Sequence, residues 1–147
     1  MFCPETCSDK DFHACNKCDN KTCESFFCLV VGSRNFGNYD LLKKKLDRIL
    51  RNQNKVFIIS GGAKGADTLA EKYAIEKGYY FKVFPADWDK HSKSAGYIRN
   101  TQMHDFISRF LNRGIVAFWD GKSKGTKQNF DLAKKYCTPI RIIRFDK

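Results

Sequence analysis

Short apolar runs, the first three closed by Gly32, Ser60 and Pro85 and the first four each leading through a loop to a helical pattern, leave this chain few folds to adopt. Residues 26–31 are almost wholly apolar and end at Gly32. A run of that length without polar alternation predicts a strand buried on both faces. Leu41, Leu42, Leu46, Ile49 and Leu50 then recur at helical spacing with lysines opposite, as in a helix with one covered face. The unit repeats: strand 56–59 and helix 67–77, strand 80–84 and a loop, helix 96–110 and strand 115–118, helix 127–136 and strand 140–145. Five strands alternating with four helices predict the α/β class: a three-layer, Rossmann-like, doubly wound and mostly parallel sheet, because each crossover carries a helix back across the sheet with one handedness.

Upstream of residue 26 the pattern stops. Residues 1–25 hold five of the seven cysteines and almost no aliphatic side chains, which divides the chain into a Cys-rich N-terminal segment, 1–25, and a folded domain, 26–147. At 42% hydrophobic and 14% aromatic content, the domain closes a core without disulfide support. No stretch approaches the roughly 18 apolar residues of a membrane span, and no basic-then-apolar leader opens the chain. A soluble, cytoplasmic protein without a membrane partner is expected. The net charge is +11, and residues 1–25 carry three lysines against five acids, so the remainder carries +13. Such an excess draws polyanions, nucleic acid and phosphorylated metabolites alike, although clusters such as Lys43, Lys44 and Lys45 read first as solvated helix faces.

The chemistry-bearing residues cluster in the loops after the strands, where open parallel sheets bind ligands. Gly32-Ser33-Arg34 follows the first strand; Gly61, Gly62, Ala63, Lys64, Gly65 and Asp67 follow the second; Asp87 and Trp88 follow the third; Asp120, Gly121, Lys122, Ser123, Gly125 and Thr126 follow the fourth. Glycines let backbone N–H groups approach an anion, and a helix N-terminus adds donors and a favourable dipole. Thr126 is a candidate helix cap or phosphate ligand, and the lysines neutralise charge. Neither glycine loop is a Walker A motif, and Gly32 to Gly37 lacks the third-position glycine of the dinucleotide fingerprint. Triphosphate hydrolysis and nicotinamide redox chemistry lose support accordingly.

The series GSRNF, SGGAKGADTLA, FPADW, AGYIRNTQM and AFWDGKSKGT resembles the SLOG superfamily of Rossmann-like domains, which includes DprA and the LOG phosphoribohydrolases, and within it the YspA-like, YpsA-related branch. The likeness covers residues 26–145. It implies a nucleotide or nucleotide-derived ligand. LOG enzymes carry an arginine on the third helix, with acids after the second glycine-threonine. Arg99 and Met103 match the first element, with Asn100 where lysine is usual, but Lys127-Gln128-Asn129 replaces the acids by a lysine and amides. An amide stabilises the ribosyl cation of N-glycosidic cleavage far less than a carboxylate does. Ligand binding, by a sensor or sequestering module, is therefore preferred; a phosphoribohydrolase-like hydrolase and DprA-like single-stranded nucleic-acid binding stand as alternatives, so enzymatic activity is left open.

Asp67, Arg99 and Asp120 are the catalytic candidates, with a helix-start charge and a turn residue as the plainer roles of the two acids. Arg34 and Arg99 are the candidates for phosphate, since a guanidinium holds such oxygens bidentately. Trp88 and Trp119 offer stacking surfaces, Trp119 equally a core position. His91 and His104 read as surface or helix-face residues, Cys28 and Cys137 as small buried hydrophobes. The crowded thiols upstream suggest structural Zn2+ on Cys3, Cys7, Cys15 and Cys18, with Cys23 and His13 as alternates. Self-association as a homodimer is an expectation from the family likeness alone.

Overall fold

A computed structural model describes residues 25–53 and 55–145, so the candidate zinc ligands lie outside the described residues. Strand β1 (Phe26–Gly32) leads through helix α1 (Tyr39–Leu50) to β2 (Val56–Ser60), and helix α2 (Ala66–Lys77) leads to β3 (Tyr80–Val83). A short helix α3 (Trp88–His91) and a 3-10 turn (Ser92–Ser94) precede α4 (Ala95–Ile107), β4 (Arg113–Trp119), α5 (Lys124–Lys135) and β5 (Ile140–Arg144). All strand pairings are parallel, in the order β3-β2-β1-β4-β5. The Rossmann-like α/β expectation holds.

Three layers follow from the period-two geometry of the strands. Phe27, Leu29 and Val31 share one core with Met103, Phe106 and Ile107 of α4 and Ala133 of α5. Cys28 and Val30 point the other way, into a second core with Leu42, Leu46 and Leu50 of α1 and Ala70, Tyr73 and Ala74 of α2. The central strand has no solvent face, which is why its sequence shows no alternation. Asn38 starts α1 by accepting a hydrogen bond from the Leu41 amide at 3.0 Å. Gly78, at φ 72°, ends α2 in the left-handed conformation that side chains disfavour. No helix among the described residues is long and apolar enough to cross a membrane.

Two local departures from the sequence reading bear on the site. The loop expected after β3 contains α3, started by Asp87, whose carboxylate accepts from the Lys90 amide at 3.1 Å; four residues are too few to show helical periodicity. Helix α5 begins at Lys124, three residues earlier than expected, because Ser123 caps it by accepting from the Thr126 amide at 3.3 Å. Thr126 is thus not the cap: its hydroxyl donates to Ser123 Oγ at 3.1 Å, and it lies with Gly125 inside the first helical turn. Cys137 corrects another expectation, being exposed at φ 53° where the chain turns out of α5. Cys28 is buried as expected, which raises its thiol to about 12.

Candidate functional site

After β3 the chain crosses to β4 on the far side of β1, so the carboxyl ends of β1 and β4 flank the crevice where doubly wound sheets hold ligands. A cavity of about 470 Å³ opens there. A second, of about 350 Å³, adjoins it under the glycine loop, and the two share Arg34, Ala63, Trp88 and Arg99.

Local packing explains why glycines shape these walls. A Cβ on Gly32 would stand 2.5 Å from Ala66 Cβ, so α2 approaches the end of β1 only because both residues are small. Gly65, at φ 81°, carries α2 onto the backbone carbonyls of Ser33 and Arg34, where no side chain fits. Gly125 differs, since a Cβ there would meet nothing within 4 Å, and it lines the larger cavity.

Arg99 sits between the two cavities and is only 8% exposed. Its Nε donates to Asn100 Oδ1 at 2.9 Å and its Nη1 to the Gly61 carbonyl. The described residues give its Nη2 no acceptor, and that atom lies 3.8 Å from where a Cβ on Gly96 would stand. Burial lowers the guanidinium from its ordinary value, Asp67 raises it, and the nearby Arg34 lowers it again. Arg34 is exposed, with its guanidinium 5.7 Å from the ring centre of Trp88, which is itself 47% exposed. Two guanidiniums therefore face one space.

Both candidate acids that line the larger cavity are tied to backbone donors. Asp67 is buried at the start of α2 and accepts from the Ala63 amide at 3.2 Å. Burial pushes its carboxyl up to about 6, against the opposing pull of the Ala63 and Gly61 amides and of Arg99. Asp120 accepts from the Lys122 and Ser123 amides, each at 2.8 Å, which hold it below the usual carboxylate range. Asp67 thus ties the glycine loop to the start of α2, and Asp120 holds the turn that follows β4.

Among the other sequence candidates, Gly32, Ser33, Ala63, Asn100, Ser123, Gly125 and Thr126 line the larger cavity. Gly61, Gly62 and Lys64 line the smaller one. Gly65, Asp87, Gly121 and Lys122 line neither. Trp119 also stands apart: its indole N–H donates to the Ser123 carbonyl at 3.1 Å and its ring packs edge-on to Phe130 at 5.0 Å. Tyr97, Asn35 and Asn129 join the wall without having been singled out as ligand-binding residues. Gly96, Arg99, Asn100 and Met103 recur at helical spacing along the wall that α4 supplies, and the same spacing from Gly125 reaches Asn129. His104 is fully buried instead of lying on a helix surface, and its Nε2 lies 2.8 Å from Asn129 Oδ1. No group of three or more His, Cys, Asp or Glu among the described residues is placed to hold a metal ion.

Comparison with known proteins matches residues 28–91 to the family described as YAcAr: YspA, cpYpsA-related SLOG family. The chain is 32% identical over 120 residues to the gene 61 protein of Mycobacterium phage D29, taking in 76% of this chain and 91% of that protein. Its fold is similar to that of DNA processing protein A (DprA) from Streptococcus pneumoniae, with a TM-score of 0.58 at 20% identity, over 83% of this chain and 51% of the other. DNA processing protein A from Helicobacter pylori, described for its single-stranded DNA binding mode, gives a TM-score of 0.52 at 19% identity over 80% of this chain. This chain spans 64% of that protein, and about half of the pneumococcal one.

Proposed function

The chain belongs to the YspA, cpYpsA-related SLOG family, and from that premise we propose that its paired cavities bind a nucleotide or nucleotide-derived phosphorylated molecule, as a sensor or sequestering module. The observation that carries this reading is Arg99. A guanidinium that is 8% exposed, shares its surroundings with Arg34 and keeps Nη2 without an acceptor among the described residues calls for an anion. Phosphate suits it, because the glycine loop, through Gly61 and Gly62, and the N-terminal turn of α5, through Gly125, line the two adjoining cavities. Trp88 and Tyr97, 47% and 45% exposed on the cavity wall, offer faces for a base.

Binding is favoured over hydrolysis because, among the described residues, the acids on the larger cavity's wall, Asp67 and Asp120, already accept from backbone amides. Gln128 and Asn129 stand where the LOG pattern carries acids, and an amide stabilises a ribosyl cation far less than a carboxylate does. Mass spectrometry of small molecules released on denaturing the purified protein tests the reading, followed by calorimetry with the compound found. A near-stoichiometric nucleotide, bound without release of free base, is the expected result. Absence of any bound or bindable nucleotide refutes it.

Single-stranded nucleic acid is the second reading, favoured by the +11 net charge and by the Arg34–Trp88 pair exposed at the cavity. It requires affinity that falls steeply with salt and survives loss of Arg99, whereas nucleotide binding requires Arg99 and tolerates salt better.

A further inference from the structure

Between the cavity and the core runs a chain of side-chain amides whose orientations fix one another. Asn129, 2% exposed, lines the larger cavity one turn below Gly125. Its Nδ2 lies 3.2 Å from the Gly125 carbonyl and its Oδ1 lies 2.8 Å from His104 Nε2. A carbonyl only accepts, so the amide nitrogen must face Gly125 and the amide oxygen must face the imidazole. The oxygen then needs a donor, which places the ring hydrogen on Nε2. His104 Nδ1 is left as a bare acceptor, consistent with its having no partner among the described residues although the ring is fully buried. The reverse arrangement would set two acceptors against each other at Gly125 and bury an unpaired N–H at Nδ1, each costly.

An amide nitrogen carries two hydrogens, and Gly125 takes one of Asn129's. Asn100 differs, because its nitrogen lies 2.9 Å from Gln128 Oε1 and 3.4 Å from the Gly125 carbonyl, which spends both. We propose that Asn129 donates its remaining N–H to an acceptor atom of the bound ligand, and that His104 is the positioning residue that fixes the direction of this donor. Gly125 supports the arrangement, since the space a Cβ would occupy is open and gives a ligand access to the turn that Asn129 ends. This inference rests on the nucleotide reading and assigns the base- or sugar-facing wall a donor where the LOG-type pattern carries acids.

The test uses the full chain, with AMP, GMP, CMP, UMP and inorganic phosphate as probes in titration calorimetry. Asn129→Ala is expected to weaken the nucleotide that binds best by about ten-fold, the range of a lost hydrogen bond to a buried partner. His104→Leu is expected to do the same, and His104→Gln, whose terminal N–H₂ supplies the same donor, to restore affinity to within about three-fold. A role for His104 in packing alone predicts the opposite order, with Leu tolerated at least as well as Gln. Nitrogen NMR of the free wild-type protein is expected to give His104 as the Nε2–H tautomer; the Nδ1–H tautomer overturns the positioning role even if a variant fails to fold. Binding by the wild type that Asn129→Ala leaves unchanged overturns the donor and the positioning role with it, and leaves the nucleotide reading standing. Failure of the wild type to bind any probe overturns the nucleotide reading and the donor with it.

Discussion

Gly125→Ala separates what this glycine does for the fold from what it does for the site. Gly125 sits in the first turn of α5, without the positive φ that would exclude a side chain, and an added Cβ meets nothing within 4 Å. Alanine reduces the freedom of the unfolded chain, so the free protein should gain about 0.5–1 kcal/mol, the lower end being apt for a first turn. For a domain of this size, with an unfolding entropy of roughly 2 cal/mol/K per residue, that raises Tm by about 2–4 °C. The same methyl enters the cavity beside the first turn of α5, against which the proposed ligand would lie, and should weaken nucleotide binding by at least ten-fold. Scanning calorimetry of the free protein and titration with the identified nucleotide read the two effects independently. A higher Tm with unchanged affinity would refute the placement of ligand against α5, and a lower Tm would refute the open space at this position. Gly61→Ala is the control, because its Cβ would run into the Arg99 guanidinium and should lower stability and affinity together.

Arg99→Lys should weaken nucleotide binding by about 1.5–3 kcal/mol, since an ammonium cannot bond to Gly61 and Asn100 while also meeting an anion; calorimetry that finds affinity retained would assign Arg99 to structure. Asp67, with a folded value of about 6 against 3.8 unfolded, contributes stability that is present below pH 3.8 and lost as pH rises through 6, a swing of about 3 kcal/mol. Urea unfolding of Asp67→Asn should therefore show stability, relative to wild type, that rises between pH 4 and pH 7; a constant difference would contradict the buried carboxyl. Burial depresses His104, so its penalty is absent above the unfolded value near 6.5 and grows as pH falls below it, and His104→Gln should flatten that acid-side loss in the same assay. Metal analysis of the full chain should find about one zinc, removed by Cys15→Ser or Cys18→Ser, if the thiols form the structural site their spacing suggests.

Strand and helix placement was legible because the apolar runs are buried on both faces, and burial writes directly into residue type. Phe27 and Cys28 belong to opposite cores, so the sequence of β1 could carry no polar position. The start of α5 was less legible because Ser123, Gly125 and Thr126 each suit a loop, and only the bond from the Thr126 amide to Ser123 Oγ selects the cap. That three-residue difference moved Gly125 from a loop into a helix and brought Asn129 onto the cavity wall. His104 was misplaced for a related reason: its helix carries buried residues around much of its circumference, so helical spacing alone did not reveal that it faces α5.

The acids show why recognising glycine loops and recognising a reaction are different problems. Sequence position put Asp67 and Asp120 beside glycines, where either suited catalysis. Their hydrogen bonds run inward instead, from Asp67 to the loop it follows and from Asp120 to the turn it begins. Each carboxylate takes up backbone N–H groups of its own loop, and Thr126 gives both its amide and its hydroxyl to Ser123 Oγ. Arg34, Arg99 and Asn129 then stand among the side-chain donors on the cavity wall. The proposed ligand, phosphate with a ribose or base acceptor attached, is the simplest chemistry that would meet both the paired guanidiniums and the neutral amide beyond them.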